Sequence, residues 1–146
     1  MNTAATGALR YSTTDEPAPQ DLLAVDQGLD AYNQAAAPLA GVTPLACFAS
    51  DGASTVVGGA VGRTWGRCCE LLQLWVADSR RGDGIGSRLL QEFEAAARAR
   101  GCDVFYLTTL SYQAPAFYRR RGYGVLAQIA GYPDGITKYL MHKVES

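Results

Sequence analysis

The segment from Arg80 to Leu90, RRGDGIGSRLL, constrains this chain more than any other. It follows an apolar, strand-like run at Cys68–Asp78 and leads into an amphipathic helix. Its glycines let the backbone approach a ligand closely, and the start of the helix presents free N–H groups and a positive dipole end. This geometry suits a phosphate or pyrophosphate. The alternative is a tight strand-to-helix turn that binds no ligand.

Two common nucleotide-binding motifs do not fit the segment. No Gly-Lys-Ser/Thr closes a P-loop, and the dinucleotide fingerprint lacks its third glycine at the proper offset. The net charge of −1 gives no basic excess for nucleic acid. The arginines are nevertheless clustered at Arg80–Arg81 and Arg119–Arg121, which favours a small anionic ligand. The second cluster fits a solvated helix end equally well.

The composition predicts one globular domain, residues 1–146, with residues 1–7 frayed. A hydrophobic fraction of 48% supports a core. The four cysteines lack metal-binding spacing, so we predict no metal site and assign them to core packing. Neither a signal peptide nor a membrane-spanning run is evident. We therefore expect a soluble protein of a reducing cytoplasm, with no membrane partner.

Hydrophobic spacing predicts alternating strands and helices around a central sheet, that is, a mixed α/β domain. The predicted elements are, in chain order, a strand at Ala8–Thr13, a helix from Asp21, a hairpin of Leu45–Ser50 with Thr55–Thr64, a strand at Cys68–Val76, a helix with Ile85, Leu89, Phe93 and Ala97 on one face, a strand at Val104–Thr109, a short helix capped by Ser111, and closing strands at Val125–Ala130 and Thr137–Val144.

Two motifs resemble the GNAT superfamily of acyl-CoA-dependent N-acetyltransferases. Arg81, Gly84 and Gly86 fill the fixed positions of its pyrophosphate loop, Gln/Arg-x-x-Gly-x-Gly/Ala. Downstream, APAFYRRRGY at Ala114–Tyr123 is similar to the family's later helix. The run Tyr112-Gln113-Ala114-Pro115 resembles a bacterial subgroup with Phe-Gln-Ala-Pro. In the late loop, Ile136 replaces the histidine that the subgroup often carries.

The resemblance implies a mostly antiparallel sheet, splayed between two parallel central strands and flanked by helices. Those strands would be Leu71–Val76 and Val104–Thr109, with a bulge in the first. It also implies acetyl transfer from acetyl-CoA, a co-substrate, to a primary amine by direct attack. A small molecule is the expected acceptor, a protein amine is the other class, and a homodimer is allowed. The alternative function is an acyl-CoA-binding module with little or no turnover.

The resemblance also assigns the candidate site residues. A thiol-side acid would be Tyr118, which could instead be a core aromatic. A candidate base is Glu70, which could instead be a solvent-facing strand end; water is the default. Ser111 stands where relatives often carry asparagine. The expected contacts to acetyl-CoA are Leu74, Trp75, Val76, Arg81, Gly82, Asp83, Gly84, Ile85, Gly86, Ser87, Ser111 and Tyr118.

Overall fold

Two units make up the chain, Met1–Leu39 and Ala40–Ser146. The computed structural model describes residues 7–37 and 41–146. The frayed segment predicted at residues 1–7 therefore lies almost wholly outside the described residues. That residues 1–146 form a single domain stays a prediction.

Among the described residues of the first unit, 7–37, the structure contains one helix, α1 (Pro19–Ala36). It begins two residues before the predicted start, because proline is tolerated in the first turn, where its missing N–H would have no partner. The strand predicted at Ala8–Thr13 is wrong, since residues 7–14 form neither helix nor strand. An isolated strand has no ladder to satisfy its backbone groups, so apolar alternation alone does not maintain it.

The second unit contains a six-stranded sheet in the order β1-β2-β3-β4-β6-β5. All neighbouring pairs are antiparallel except β3 and β4, which are parallel. The predicted mixed, mostly antiparallel sheet with two parallel central strands is therefore confirmed. The strands are β1 (Thr43–Ser50), β2 (Val56–Trp65), β3 (Cys68–Val76), β4 (Val104–Leu110), β5 (Gly124–Ile129) and β6 (Lys138–Val144).

Helix α2 (Ile85–Ala99) packs its apolar face on this sheet, as the spacing predicts. Leu89, Phe93 and Ala97 are buried against strand residues such as Phe105 and Met141. Burial of each large apolar side chain contributes about 1.5–3 kcal/mol. This packing fixes the start of α2 relative to the end of β3.

Helix α3 (Pro115–Arg119) is short, and its N-cap differs from the prediction. The N-cap residue is Ala114, which makes no side-chain cap hydrogen bond. The Ser111 hydroxyl instead accepts a hydrogen bond from the Thr137 N–H at 3.0 Å. Ser111 is separated from α3 by three residues, so its side chain joins the end of β4 to the start of β6.

The four cysteines are free thiols. Cys69 and Cys102 are buried in the core, as predicted, whereas Cys68 is exposed. Cys68 and Cys69 thus face opposite sides of the sheet, as adjacent strand residues should. Within residues 7–37 and 41–146, no helix is both long enough and apolar enough to cross a bilayer.

Candidate active site

The two parallel strands separate halfway along their length. Only Cys68–Leu71 of β3 pairs with β4, at Val104–Leu107. On the other side of β3, the pairing with β2 shifts at Leu72, which has no partner because Gln73 pairs with Val61 and Leu71 with Gly62. This bulge confirms the one expected in the first parallel strand. Because the pairing with β4 ends at Leu71, the β4-facing edge of β3 is unpaired beyond that residue.

A cleft of about 1140 Å³ begins at this separation and continues past the turn after β3. Its walls come from the ends of β3 and β4, the glycine turn, the start of α2, and α3. Of the predicted contacts to acetyl-CoA, all line this cleft except Asp83 and Ser111. Asp83 lies in a separate hollow beside Cys47 and Arg88.

The glycine turn forms one end of the cleft. Gly82 and Gly84 have φ of +88° and +76°, a left-handed conformation that favours glycine. Gly84 is the N-cap of α2, and no side chain caps this helix. The N–H groups of the first helical turn also lack intrahelical acceptors. They are therefore available to an anion that enters the cleft.

Two arginines flank this turn in different ways. Arg81 pairs with Asp78 at 2.9 Å. Arg121, which follows α3, donates to the Ser87 hydroxyl at the start of α2. Its guanidinium also lies 3.7 Å from the centre of the Phe117 ring and donates to the Phe117 carbonyl oxygen at 3.0 Å. A cation is thus held beside the N-terminus of α2.

The role of Arg121 could not be singled out from the sequence. The run Arg119–Arg121 gives three adjacent arginines, and the turn after α3 decides which of them points into the cleft. In the structure both Arg120 and Arg121 line it, and Arg121 contacts the glycine turn's helix. Arg119 instead lies 5.9 Å from the Tyr139 ring centre.

Tyr118 of α3 also lines the cleft and is only 7% exposed. Its ring packs edge-on against Phe117 and Tyr123, with centroids 5.2 and 5.8 Å away. Its hydroxyl makes no hydrogen bond to another described residue. Among the described residues, every fully buried side-chain oxygen has a hydrogen-bond partner, so the Tyr118 oxygen is not fully buried. The hydroxyl therefore reaches the cleft. Burial raises the pKa of Tyr118 to about 12, so the phenol stays protonated at neutral pH.

Glu70 does not lie in the cleft with the other candidate catalytic residue, Tyr118. It pairs with Arg63 of β2, Oε1 to Nη2, at 2.9 Å, and is absent from the lining of the cleft. The cause is the bulge at Leu72, which interrupts the strand alternation. Leu71 and Leu74 both contact the core as a result, and Glu70 projects from the opposite face of the sheet.

The cleft contains no obvious base or metal ligand set. No Asp, Glu or His among the described residues lines it. Across residues 7–37 and 41–146, no group of three His, Cys, Asp or Glu side chains is placed to hold a metal ion.

Comparisons with known proteins agree with this geometry. Residues 11–123 match the model of the acetyltransferase (GNAT) family. Blasticidin-S acetyltransferase of Streptomyces morookaense is 40% identical over 99 residues, which are 67% of this chain and 73% of that protein. The structure of an acetyltransferase from Bacillus cereus matches at a TM-score of 0.74 with 24% identity, over 92% of this chain and 98% of that one.

A further solved structure, PaiA N-acetyltransferase of Thermoplasma acidophilum in complex with coenzyme A, has the same fold. Its TM-score is 0.58 at 22% identity, over 70% of this chain and 62% of that one. Fold, cleft and relatives define an acyl-CoA-dependent N-acetyltransferase. The chain belongs to the GNAT family of acetyltransferases.

Proposed function

We propose that this enzyme transfers the acetyl group of acetyl-CoA to a primary amine of a small molecule by direct attack. One observation carries the proposal. A single cleft joins an anion site at the start of α2 to the hydroxyl of Tyr118, along an unpaired edge of β3. Acetyl-CoA has a pyrophosphate, an amide-containing arm and a thioester in that order, which matches the order of these features along the cleft.

The pyrophosphate would bind the glycine turn. The uncapped N–H groups between Arg81 and Ser87 would donate to its oxygens, and Arg121 would add positive charge from the other wall. Gly82 and Gly84 suit this role because no protein atom lies within 4 Å of a Cβ built at either position. Glycine leaves this space open to the pyrophosphate. Asp83, although predicted as a contact, would contribute through its backbone, since it lies beside the neighbouring hollow.

The pantetheine arm would bind along Leu74, Trp75 and Val76 as an added strand. Their β4-facing main-chain groups lie beyond the paired segment of β3, and amides of the arm can donate to and accept from such an edge. These contacts use the backbone, so the side chains of this segment are free to pack elsewhere. Leu74 and Val76 do so against the core.

At the thioester, the amine nitrogen would attack the carbonyl carbon and the carbon–sulfur bond would then break. Unpaired backbone N–H groups of β3 would stabilise the negative charge on the carbonyl oxygen. Tyr118 would donate its proton to the departing thiolate, which leaves as the thiol of CoA, and the resulting phenolate would regain a proton from water. The proton lost by the amine would pass through water to bulk solvent, because the described lining offers no carboxylate or imidazole.

The small-molecule acceptor is supported by the relative at 40% identity, whose name gives blasticidin S as its acceptor. The test is release of free thiol from acetyl-CoA in the presence of a panel of small amines, with mass spectrometry of the product. Turnover with at least one small amine and a product heavier by one acetyl group is the expected result. Acetyl-CoA binding without thiol release from any amine, or release with protein amines only, would contradict the proposal.

The pH dependence of the rate should follow the acceptor rather than Tyr118. A primary amine with a pKa of about 10 loses its proton as pH rises, so kcat/KM should increase about tenfold per pH unit below that value. The pKa of Tyr118 is about 12, so its loss of a proton should not lower the rate below about pH 11. Initial rates from pH 6 to 10 test this. A fall in rate near pH 9 that Tyr118→Phe removes would show that Tyr118 ionises earlier.

A further inference from the structure

A buried ion pair lies behind the wall that carries Tyr118. Glu94 of α2 and Lys143 of β6 are 2.9 Å apart, and their side chains are only 8% and 14% exposed. The Tyr123 hydroxyl donates to the same carboxylate at 2.6 Å. These three residues, Glu94, Tyr123 and Lys143, are called the rear cluster below. It joins α2, the turn after α3, and the last strand.

The rear cluster contacts the backbone between Tyr118 and Tyr123. Lys143 donates to the Arg121 carbonyl oxygen at 3.2 Å. The Tyr123 N–H donates to the Tyr118 carbonyl oxygen at 3.1 Å. Between them, Gly122 has a φ of +93°, and a Cβ there would lie 3.0 Å from the Lys143 side chain. The turn is thus pressed closely against the lysine.

Helix α3 cannot hold its own position. It has five residues and no side-chain cap, and a helix of that length is unstable by itself in water. Its orientation therefore depends on what fastens its C-terminal end. Beside the contacts of Arg121 with Ser87 and Phe117, the rear cluster supplies this fastening, because Lys143 contacts Arg121 and Tyr123 contacts Tyr118.

The energetics also favour a positioning role. A buried ion pair contributes little net stability, because the cost of desolvation offsets the attraction. The hydrogen bonds that both partners make nevertheless fix the orientation of the groups around them. Misplacing a reacting group by about 1 Å can lower a rate about 100-fold. We propose that the rear cluster is a positioning device, which holds Tyr118 and Arg121 in their places on one wall of the cleft. The proposal rests on the function proposed above.

The test compares two substitutions. Lys143→Met keeps the apolar stem but removes the charge and the bond to the Arg121 carbonyl. Arg98→Met is the matched control, since Arg98 pairs with Glu145 at 2.7 Å and with Glu94 at 3.5 Å but not with the turn after α3. Lys143→Met should lower kcat about tenfold and raise the KM for acetyl-CoA a few-fold. Arg98→Met should leave both near wild type, with assays run well below both melting temperatures.

A double mutant separates positioning from stability. In a Tyr118→Phe background, Lys143→Met should cause little further loss of kcat, because the group it positions is already gone. Its effect on KM should persist through Arg121. Full additivity in kcat, or equal kinetic losses for Lys143→Met and Arg98→Met, would overturn the proposal. If Lys143→Met does not fold, Tyr123→Phe removes only the hydroxyl bond to Glu94 and should lower kcat two- to fivefold; an unchanged kcat would overturn it.

Failure of the acid role gives a different pattern. If Tyr118→Phe alone leaves kcat unchanged, Tyr118 is not the proton donor. A rise in the KM for acetyl-CoA in Lys143→Met but not in Arg98→Met would then still support the positioning of Arg121. The absence of that rise in the same experiment would overturn the positioning role as well.

Discussion

Gly84→Val should weaken acetyl-CoA binding about 100-fold or more. Gly84 is the N-cap of α2, with φ +76° and free space around its Cβ position. A valine there would place two methyl groups where the pyrophosphate is proposed to lie. A hydrogen bond to a charged group contributes about 1.5–3 kcal/mol, and each 1.4 kcal/mol is about tenfold in affinity. Loss of one or two such bonds therefore accounts for the expected change, which calorimetry with acetyl-CoA measures.

Gly66→Val is the matched control for backbone strain. Gly66 has φ +57° and no neighbouring atom within 4 Å of its Cβ position. It lies in the turn between β2 and β3 and does not line the cleft. Both substitutions impose the same left-handed penalty on a β-branched residue, about 1–2 kcal/mol. Only Gly84→Val should lose affinity, and both should remain folded by circular dichroism.

Equal affinities of the two variants for acetyl-CoA would show that the pyrophosphate does not bind at the glycine turn. The anion site would then have to lie elsewhere along the cleft, where Arg80, Arg120 and Arg121 are among the lining cations. The strand-to-helix segment would in that case be the tight turn without a ligand that the sequence also allows.

Local pattern predicted the elements that form the site, because each has a strong signal in its own residues. The observed limits of β3, Cys68–Val76, equal the predicted ones. The buried positions of α2 at Leu89, Phe93 and Ala97 follow directly from helical spacing. The glycine turn between this strand and this helix could therefore be predicted as well, whereas the binding of an anion there stays a prediction.

What could not be predicted depends on contacts between distant segments. The bulge at Leu72 arises from the pairing of β3 with β2, and it decides that Glu70 faces Arg63 rather than the cleft. The contact of Arg121 with Ser87 depends on how the turn after α3 packs, which three adjacent arginines do not reveal. The rear cluster joins residues up to 49 positions apart. No short-range spacing indicates such a contact.

Tyr118→Phe should lower kcat by about 10²–10⁴-fold, the usual contribution of a general acid. The substitution removes one oxygen and keeps the edge-on packing against Phe117 and Tyr123. The hydroxyl has no partner among the described residues, so the melting temperature should stay near that of the wild type. Affinity for acetyl-CoA should change little, because the proton is needed only when the thiolate leaves. Tyr112→Phe, which removes a hydroxyl from an exposed tyrosine of the same cleft, is the control.

The chemistry of the leaving group gives a sharper form of the same test. If Tyr118 protonates the thiolate, a donor whose thiolate is a better leaving group needs less help. The rate difference between the wild type and Tyr118→Phe should therefore shrink with an acyl donor of lower thiol pKa and persist with acetyl-CoA. A kcat that is unchanged by the substitution, together with a lower melting temperature, would instead make Tyr118 a core aromatic. The thiolate would then leave with a proton from water, and the burial of Tyr118 would serve packing alone.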